Sequence, residues 1–235
     1  MRKHHLVLLP GLDGTGHLFA PLIRALPPEI TATIVSYPRD KLLTYEHLQP
    51  FVQQSIPTDR PYVLVAESFS GPLAIKMAAT HPANLQAVVL CASFVRNPAP
   101  PLLRWVQVVN HPFWFQFRLP HWFVRYAVAM WDCETNVISD LIEQTKTVPP
   151  SVLAHRFAQV MQVDVRRQLQ QCNTPMLYLR ATRDVLVQRP NWKEIVKLKP
   201  EASYAEIEAS HFILQHKPVE AIAAIQRFLV ANFGD

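Results

Sequence analysis

Pro61-Tyr-Val-Leu-Val-Ala66-Glu67-Ser68-Phe69-Ser70-Gly71-Pro-Leu-Ala-Ile-Lys-Met-Ala-Ala79 is the stretch whose reading decides the fold. Tyr62 to Ala66 is a short apolar run of strand length, and the residues from Gly71 onward read as a helix. A tight turn joins them, and Ser68 sits on it. Such a turn strains the serine backbone and lifts the hydroxyl clear of the sheet edge, the geometry of a nucleophile elbow. Bulky side chains two places away on either side would collide with neighbouring backbone, so small residues are needed there. The usual form is Gly-x-Ser-x-Gly. Here Ala66 and Ser70 replace both glycines, and Gly71 follows one place late.

Working outward, the N-terminal stretch Leu6-Val-Leu-Leu-Pro10-Gly11-Leu12-Asp13-Gly14-Thr15-Gly16 is an apolar strand running into a glycine-rich loop. A helix is expected over Leu18 to Leu26, with Leu18, Phe19, Leu22, Ile23 and Leu26 on its apolar side. Gly11 is expected to let the chain turn sharply and leave the next N–H free to face a cleft. An acyl-transfer serine needs two such donors, one from this loop and one from the residue after the nucleophile. Leu12 and Phe69 fill those places. The spacing Gly11-x-x-Gly14-x-Gly16, with no Gly-Lys-Ser/Thr after it, does not suit a nucleotide loop. Asp13 beside the loop reads as a turn stabiliser, and Glu67 as a support for the elbow.

In the last third, Pro175 to Arg180 and Ala202 to Glu208 read as strands, and a long amphipathic helix follows over Val219 to Phe228. Asp184 and His211 each fall just past one of those strands. Loops of that kind open on one edge of a parallel sheet, so both can converge on Ser68. The order Ser…Asp…His is the one expected of a nucleophile-elbow hydrolase and differs from those of two unrelated serine protease folds. Asp59 and Asp132 are weaker candidates for the acid, because neither follows a strand ahead of His211. No His-Glu-x-x-His occurs, and His211 and His216 are wrongly spaced to share a helix face, so no metal site is expected.

These segments together resemble the α/β-hydrolase superfamily along nearly the whole chain. The residues that carry the likeness are Pro10 to Gly16, Ala66 to Gly71, Asp184-Val-Leu-Val187 and His211-Phe-Ile-Leu214. The Leu-Pro-Gly-Leu-Asp-Gly-Thr-Gly run further resembles the N-terminal loop of the plant phytyl ester synthase and diacylglycerol acyltransferase group, which acts on fatty-acyl esters and thioesters. Alternating strand-like and helical stretches imply one mainly parallel sheet of about six strands, with helices on both faces. The antiparallel hairpin that many members carry ahead of the oxyanion strand is not expected here. The core is assigned to residues 1–96 and 170–235, and residues 97–169 are assigned to a helical lid.

That lid breaks the rhythm. It opens on Pro98-Ala-Pro-Pro101 and holds Trp105, Phe113, Trp114, Phe115, Phe117, Trp122, Phe123, Tyr126 and Trp131, while Pro149-Pro150-Ser151 begins a further helix. Trp105, Trp114, Phe117 and Trp122 are the candidate substrate-binding residues. Their rings either wall an apolar acyl pocket or fasten the lid to the body. Arg96, Arg104, Arg118 and Arg125, with His111 and His121 between them, form the densest basic region. It is either a solvated helix face or a dock for an acidic carrier protein such as an acyl carrier protein.

Length and composition agree with one sizeable domain with ample core: 235 residues, 49% hydrophobic, 17% charged and a net charge of +5. No long basic run points to nucleic acid. Cys91, Cys133 and Cys172 are widely spaced, which suits neither a disulfide framework nor a zinc site. The apolar run after the basic start ends at Pro10, too short for a signal peptide, and no window approaches the roughly 20 apolar residues of a membrane span. A cytoplasmic protein without a cofactor is the expectation. The expected activity is cleavage of carboxylic esters or thioesters of apolar acyl groups. An acyltransferase with the same three residues, or a non-catalytic binding protein on the same fold, are the alternatives.

Overall fold

The computed structural model describes residues 3–99 and 135–234. Six strands form one sheet: β1 (His4–Leu9), β2 (Ile30–Ile34), β3 (Tyr62–Glu67), β4 (Leu85–Cys91), β5 (Met176–Ala181) and β6 (Ser203–Ile207). Every neighbouring pair is parallel, and the order is β2-β1-β3-β4-β5-β6. This is the mainly parallel α/β-hydrolase sheet that the sequence implies. After β2 the chain crosses back over β1 to lay down β3, so the winding reverses between β1 and β3. In an open α/β sheet that reversal opens a crevice beyond the carboxyl ends of the strands.

A parallel sheet covered on both faces needs strands that are apolar throughout, and β3 is buried at every position. Side chains alternate across the sheet and feed two cores. Val7, Leu9, Leu64, Leu90 and Tyr178 join α2 (Tyr45–Ser55), α3 (Gly71–Ala78), α6 (Arg166–Gln171) and α7 (Arg189–Leu198) through Leu48, Leu73, Leu169 and Ile195. Leu6, Leu8, Val63, Val65 and Leu179 meet α1 (Ala20–Arg24), α8 (Ile213–His216) and α9 (Pro218–Phe233) through Leu22, Ile213, Ile225 and Phe228. Each such side chain, taken fully out of water, contributes about 1.5–3 kcal/mol. Cys91 and Cys172 are buried free thiols.

The helix expected over Leu18 to Leu26 is shorter than its pattern. A 3-10 turn, His17–Phe19, leads into α1, which ends at Arg24. Leu26 precedes Pro27, and the residue before a proline is disfavoured in helical backbone.

Two further helices, α4 (Thr135–Lys146) and α5 (Pro150–Gln162), precede α6. The limbs of the intervening segment meet where Arg96 and Asp164 form an antiparallel bridge. The Val165 N–H donates to the Val95 carbonyl there at 2.7 Å. Trp105, Trp114, Phe117 and Trp122 lie outside the described residues, as do Asp132, Cys133, Arg104, Arg118 and Arg125. Among the described residues no helix is long and apolar enough to cross a membrane.

Candidate active site

Four strand ends build the site. At the end of β3, Ser68 adopts φ 46°, a left-handed backbone that is strained for any residue with a side chain. A 3-10 turn, Ser68–Ser70, then runs directly into α3. Gly71, one place later than in the usual motif, is where close approach forbids a side chain. A Cβ at 71 would run into Ser93, which sits just past β4. The Ser93 hydroxyl in turn donates to the Ser68 carbonyl at 2.7 Å, holding the elbow to the neighbouring strand.

His211 lies 143 residues from Ser68 in the chain, yet its Nε2 is 2.9 Å from Ser68 Oγ. Its Nδ1 is 2.8 Å from Asp184 Oδ2, across a separation of 27 residues. With Nδ1–H donating to the carboxylate, Nε2 is left as the acceptor for the serine hydroxyl. Asp184 is fixed by its own loop after β5: Oδ1 accepts from the Leu186 N–H at 2.9 Å and the Val187 N–H at 2.8 Å. The Asp184 side chain is only 3% exposed and that of His211 8%, so little water competes for the pair. Burial disfavours the imidazolium, but the Asp184 charge and hydrogen bond outweigh it and hold the His211 pKa above 6.5. Asp59, by contrast, is an exposed carboxylate paired with Arg60 at 3.1 Å.

The loop after β1 approaches the elbow from the other side of the winding reversal. Its left-handed residues are Gly14 (φ 68°) and Gly16 (φ 75°). Gly11 is not among them, and a Cβ there would meet only ordinary contacts. The sharp turn expected at Gly11 is instead completed at Gly14, whose N–H donates to the Gly11 carbonyl at 3.1 Å. Asp13 stabilises that turn: its Oδ2 accepts from the Thr15 N–H at 2.8 Å and the Thr15 hydroxyl at 2.5 Å. Leu12 is in this turn, and Phe69 follows the serine.

Sequence reasoning passed over the side chains that hold the elbow and the loop after β1. The Tyr45 hydroxyl donates to the Phe69 carbonyl at 2.9 Å, with its ring stacked on Phe69 at 4.9 Å. Ser70 is wholly buried and its hydroxyl donates to the Pro10 carbonyl. The Tyr37 hydroxyl donates to Ser70 Oγ at 2.6 Å. Nothing in the local pattern around Tyr37 or Tyr45 marks them, because their partners are distant in the chain. Ser93 was more accessible to inference, since it follows a strand that opens on the same sheet edge.

Glu67 sits beneath the elbow, 3% exposed. Its Oε2 accepts from Gln215 Nε2 at 3.3 Å. Burial pushes its pKa up to about 7, against the pull of the His211 charge and the Gln215 hydrogen bond. Among the described residues no group of three or more His, Cys, Asp or Glu is arranged to hold a metal ion.

Chemically, the arrangement joins a strained, half-buried serine to an imidazole that can take its proton, and joins that imidazole to a buried carboxylate. The comparisons agree with the fold. The family profile described as serine aminopeptidase, S33, matches residues 43–208. An enol-lactonase from Burkholderia xenovorans superposes with a TM-score of 0.79 at 17% identity, covering 98% of this chain and 92% of the other. A thermophilic esterase from Thermogutta terrifontis gives 0.77 at 16%, covering 98% and 90%. At these identities the likeness speaks for the fold alone. Phytyl ester synthase 1, chloroplastic, from Arabidopsis thaliana is 30% identical over 133 residues, 53% of this chain. The matched stretch spans only 18% of that relative's length.

Proposed function

Because the chain belongs to the serine aminopeptidase, S33, family of hydrolases, we propose that it cleaves carboxylic esters or thioesters of apolar acyl groups, with Ser68 as nucleophile, His211 as general base and Asp184 as the acid that orients it. The observation that carries this reading is the continuous hydrogen-bonded line from Ser68 Oγ through His211 to Asp184, with Ser68 raised at positive φ. In the acylation step His211 Nε2 takes the Ser68 proton while Oγ attacks the acyl carbonyl carbon. The carbonyl electron pair moves onto oxygen, where the N–H groups of Leu12 and Phe69 receive it. Collapse of the tetrahedral adduct breaks the bond to the alcohol or thiol, which leaves with the proton from His211. Water then repeats the sequence on the acyl-enzyme and releases the acid. Asp184 keeps Nδ1 protonated and stabilises the imidazolium at each stage.

The preference for apolar acyl groups rests on the aromatic residues of the lid, Trp105, Trp114, Phe117 and Trp122 among them. The likeness to a phytyl ester synthase favours a second reading, in which an alcohol replaces water and the product is a new ester. Docking of an acidic acyl carrier protein on the basic lid belongs to the same proposal.

The test is a panel of p-nitrophenyl esters from acetyl to palmitoyl, run beside acyl-CoA and acyl carrier protein thioesters, with and without added alcohol. Turnover that rises with chain length supports the apolar acyl site. Each buried methylene is worth about 0.8 kcal/mol, so kcat/KM should climb several-fold per carbon until the pocket is full. A flat profile would mean that the rings only fasten the lid. Ester formation outrunning hydrolysis in the presence of alcohol would favour the transferase.

A further inference from the structure

Arg156 lies on α5, far in sequence from the serine loop, and only 3% of it reaches solvent. Its Nη1 donates to the carbonyl of Leu12 at 3.0 Å and to that of Asp13 at 2.6 Å. Its Nη2 donates to the carbonyl of Pro38 at 3.0 Å. The guanidinium carbon stands 5.8 Å from the centre of the Tyr37 ring, the same tyrosine that holds Ser70. The loop is shaped around this group: a Cβ on Gly14 would overlap the guanidinium. Among the described residues no carboxylate forms an ion pair with it. Burial disfavours the charged guanidinium, and the nearby Asp13 and Tyr37 side chains offset that cost only in part.

We propose that Arg156 is a positioning residue for the oxyanion loop: it holds the Leu12–Asp13 and Asp13–Gly14 peptides, and the Gly14 N–H in turn holds the Gly11 carbonyl, so that the Leu12 N–H at the other end of the Gly11–Leu12 peptide faces the reacting carbonyl. The three carbonyls belong to two segments, the loop after β1 and the segment after β2. Joining them fixes the backbone on the carbonyl side of Leu12 and keeps the Gly14 N–H on the Gly11 carbonyl, which removes the rotation by which the Gly11–Leu12 peptide would turn the Leu12 N–H away. Donors fixed before the reaction need no reorganisation when charge develops on the acyl oxygen, and that is the source of their effect on rate. The inference rests on the proposed acyl-transfer role of Ser68, and it adds to that role a side chain that touches neither substrate nor serine.

The test compares Arg156→Met and Arg156→Lys with the unaltered protein, reading kcat and KM on p-nitrophenyl butyrate, the rate at which a fluorophosphonate labels Ser68, and the thermal midpoint. Losing an oxyanion donor outright costs about 10²–10³ in kcat, so a misaligned one should cost about tenfold to a hundredfold in Arg156→Met. KM should hold within about twofold, and the labelling rate should fall in step with kcat, because the phosphonyl oxygen needs the same donors. A folded Arg156→Met with unchanged kcat and labelling rate overturns the proposal, as does a loss confined to KM. If Arg156→Met does not fold, Arg156→Lys decides. A single ammonium cannot reach all three carbonyls, so kcat should drop several-fold at constant KM, and unaltered kcat and labelling would overturn the proposal. Ser68→Ala, run alongside, separates the two levels. Activity surviving in Ser68→Ala removes the reading of Ser68 as nucleophile, whereas a dead Ser68→Ala beside a fully active Arg156→Met removes only the role of Arg156.

Discussion

Ser70 donates its hydroxyl hydrogen to the carbonyl of Pro10, 60 residues earlier in the chain, and so ties the elbow to the loop after β1. A glycine at that place, as in the usual motif, would leave the two segments to pack without a bond between them. Tyr37 completes the tie by donating to Ser70 Oγ at 2.6 Å. Burial raises the Tyr37 pKa, so the phenol stays protonated and remains a donor. The departure from Gly-x-Ser-x-Gly at Ser70 is therefore a cross-link.

Ser70→Ala should cost stability, because it strands a buried phenol and a buried carbonyl. Leaving such a group unsatisfied costs about 1–3 kcal/mol. Tyr37→Phe removes the phenol itself and should cost less. Because the two residues share one chain of hydrogen bonds, the double variant should be less destabilised than the sum of the singles. Urea unfolding of the four proteins measures this, and strict additivity would show that the line from Tyr37 to Pro10 does not act as a unit.

Ser68→Ala should remove ester hydrolysis while leaving the fold intact, since the hydroxyl faces the cleft and is not part of either core. Loss of such a residue lowers kcat by roughly 10³-fold or more. Labelling by a fluorophosphonate should vanish with it. A probe that marks a different serine, or near-normal turnover by the variant, would end the assignment.

The layers of this site differ in how far the sequence reaches them. The four inner strands were readable because a parallel sheet buried on both faces writes its strands as nearly continuous apolar runs, as in Val63-Leu64-Val65, whereas the edge strands β2 and β6 are part-exposed and carry polar residues. Ser68, Asp184 and His211 were readable as strand-end residues, since parallel topology sends all strand ends to one edge. The supports were not. Tyr45 on Phe69 and Ser70 on Pro10 are pairings across the chain, with no period to announce them. Gly11 misled for a related reason: the turn is closed by Gly14, whose missing Cβ makes room for Arg156, and nothing near Gly14 in the sequence points to that arginine.

Asp184→Asn should preserve side-chain volume and the bonds from Leu186 and Val187 to Oδ1, yet lower kcat by orders of magnitude. An amide nitrogen facing His211 Nδ1 would donate, and would hold the imidazole in the tautomer that cannot accept the Ser68 proton. Asp59→Asn, at an exposed carboxylate, is the control and should be silent. Steady-state kinetics on one ester decides between them. Activity kept in Asp184→Asn but lost in Asp59→Asn would move the acid elsewhere.

Glu67→Gln should alter both the pH profile and the pH dependence of stability, in directions the geometry sets. Burial is the main cause of the raised pKa, about 7, with the Asp13 charge adding to it and His211 and Gln215 opposing it. A carboxyl with a folded-state pKa above its unfolded value stabilises the protein fully at pH below the unfolded value, and that contribution is lost as pH rises through about 7. Glutamine mimics the neutral form at every pH. The variant should therefore match the unaltered protein near pH 4.5 and become more stable than it by pH 8.5, by up to about 3 kcal/mol. For activity the sign concerns His211, whose pKa lies above 6.5 mainly because the Asp184 charge and hydrogen bond overcome burial, with the Glu67 charge adding to them. His211 must be neutral to accept the Ser68 proton, so the acid limb of kcat/KM should fall above pH 6.5 in the unaltered protein. Removing the Glu67 charge should move that limb to lower pH. Urea midpoints and kcat/KM measured from pH 5 to 8.5 test both halves. Parallel stability curves, or an acid limb that stays in place, would show that Glu67 does not ionise beneath the elbow in this range.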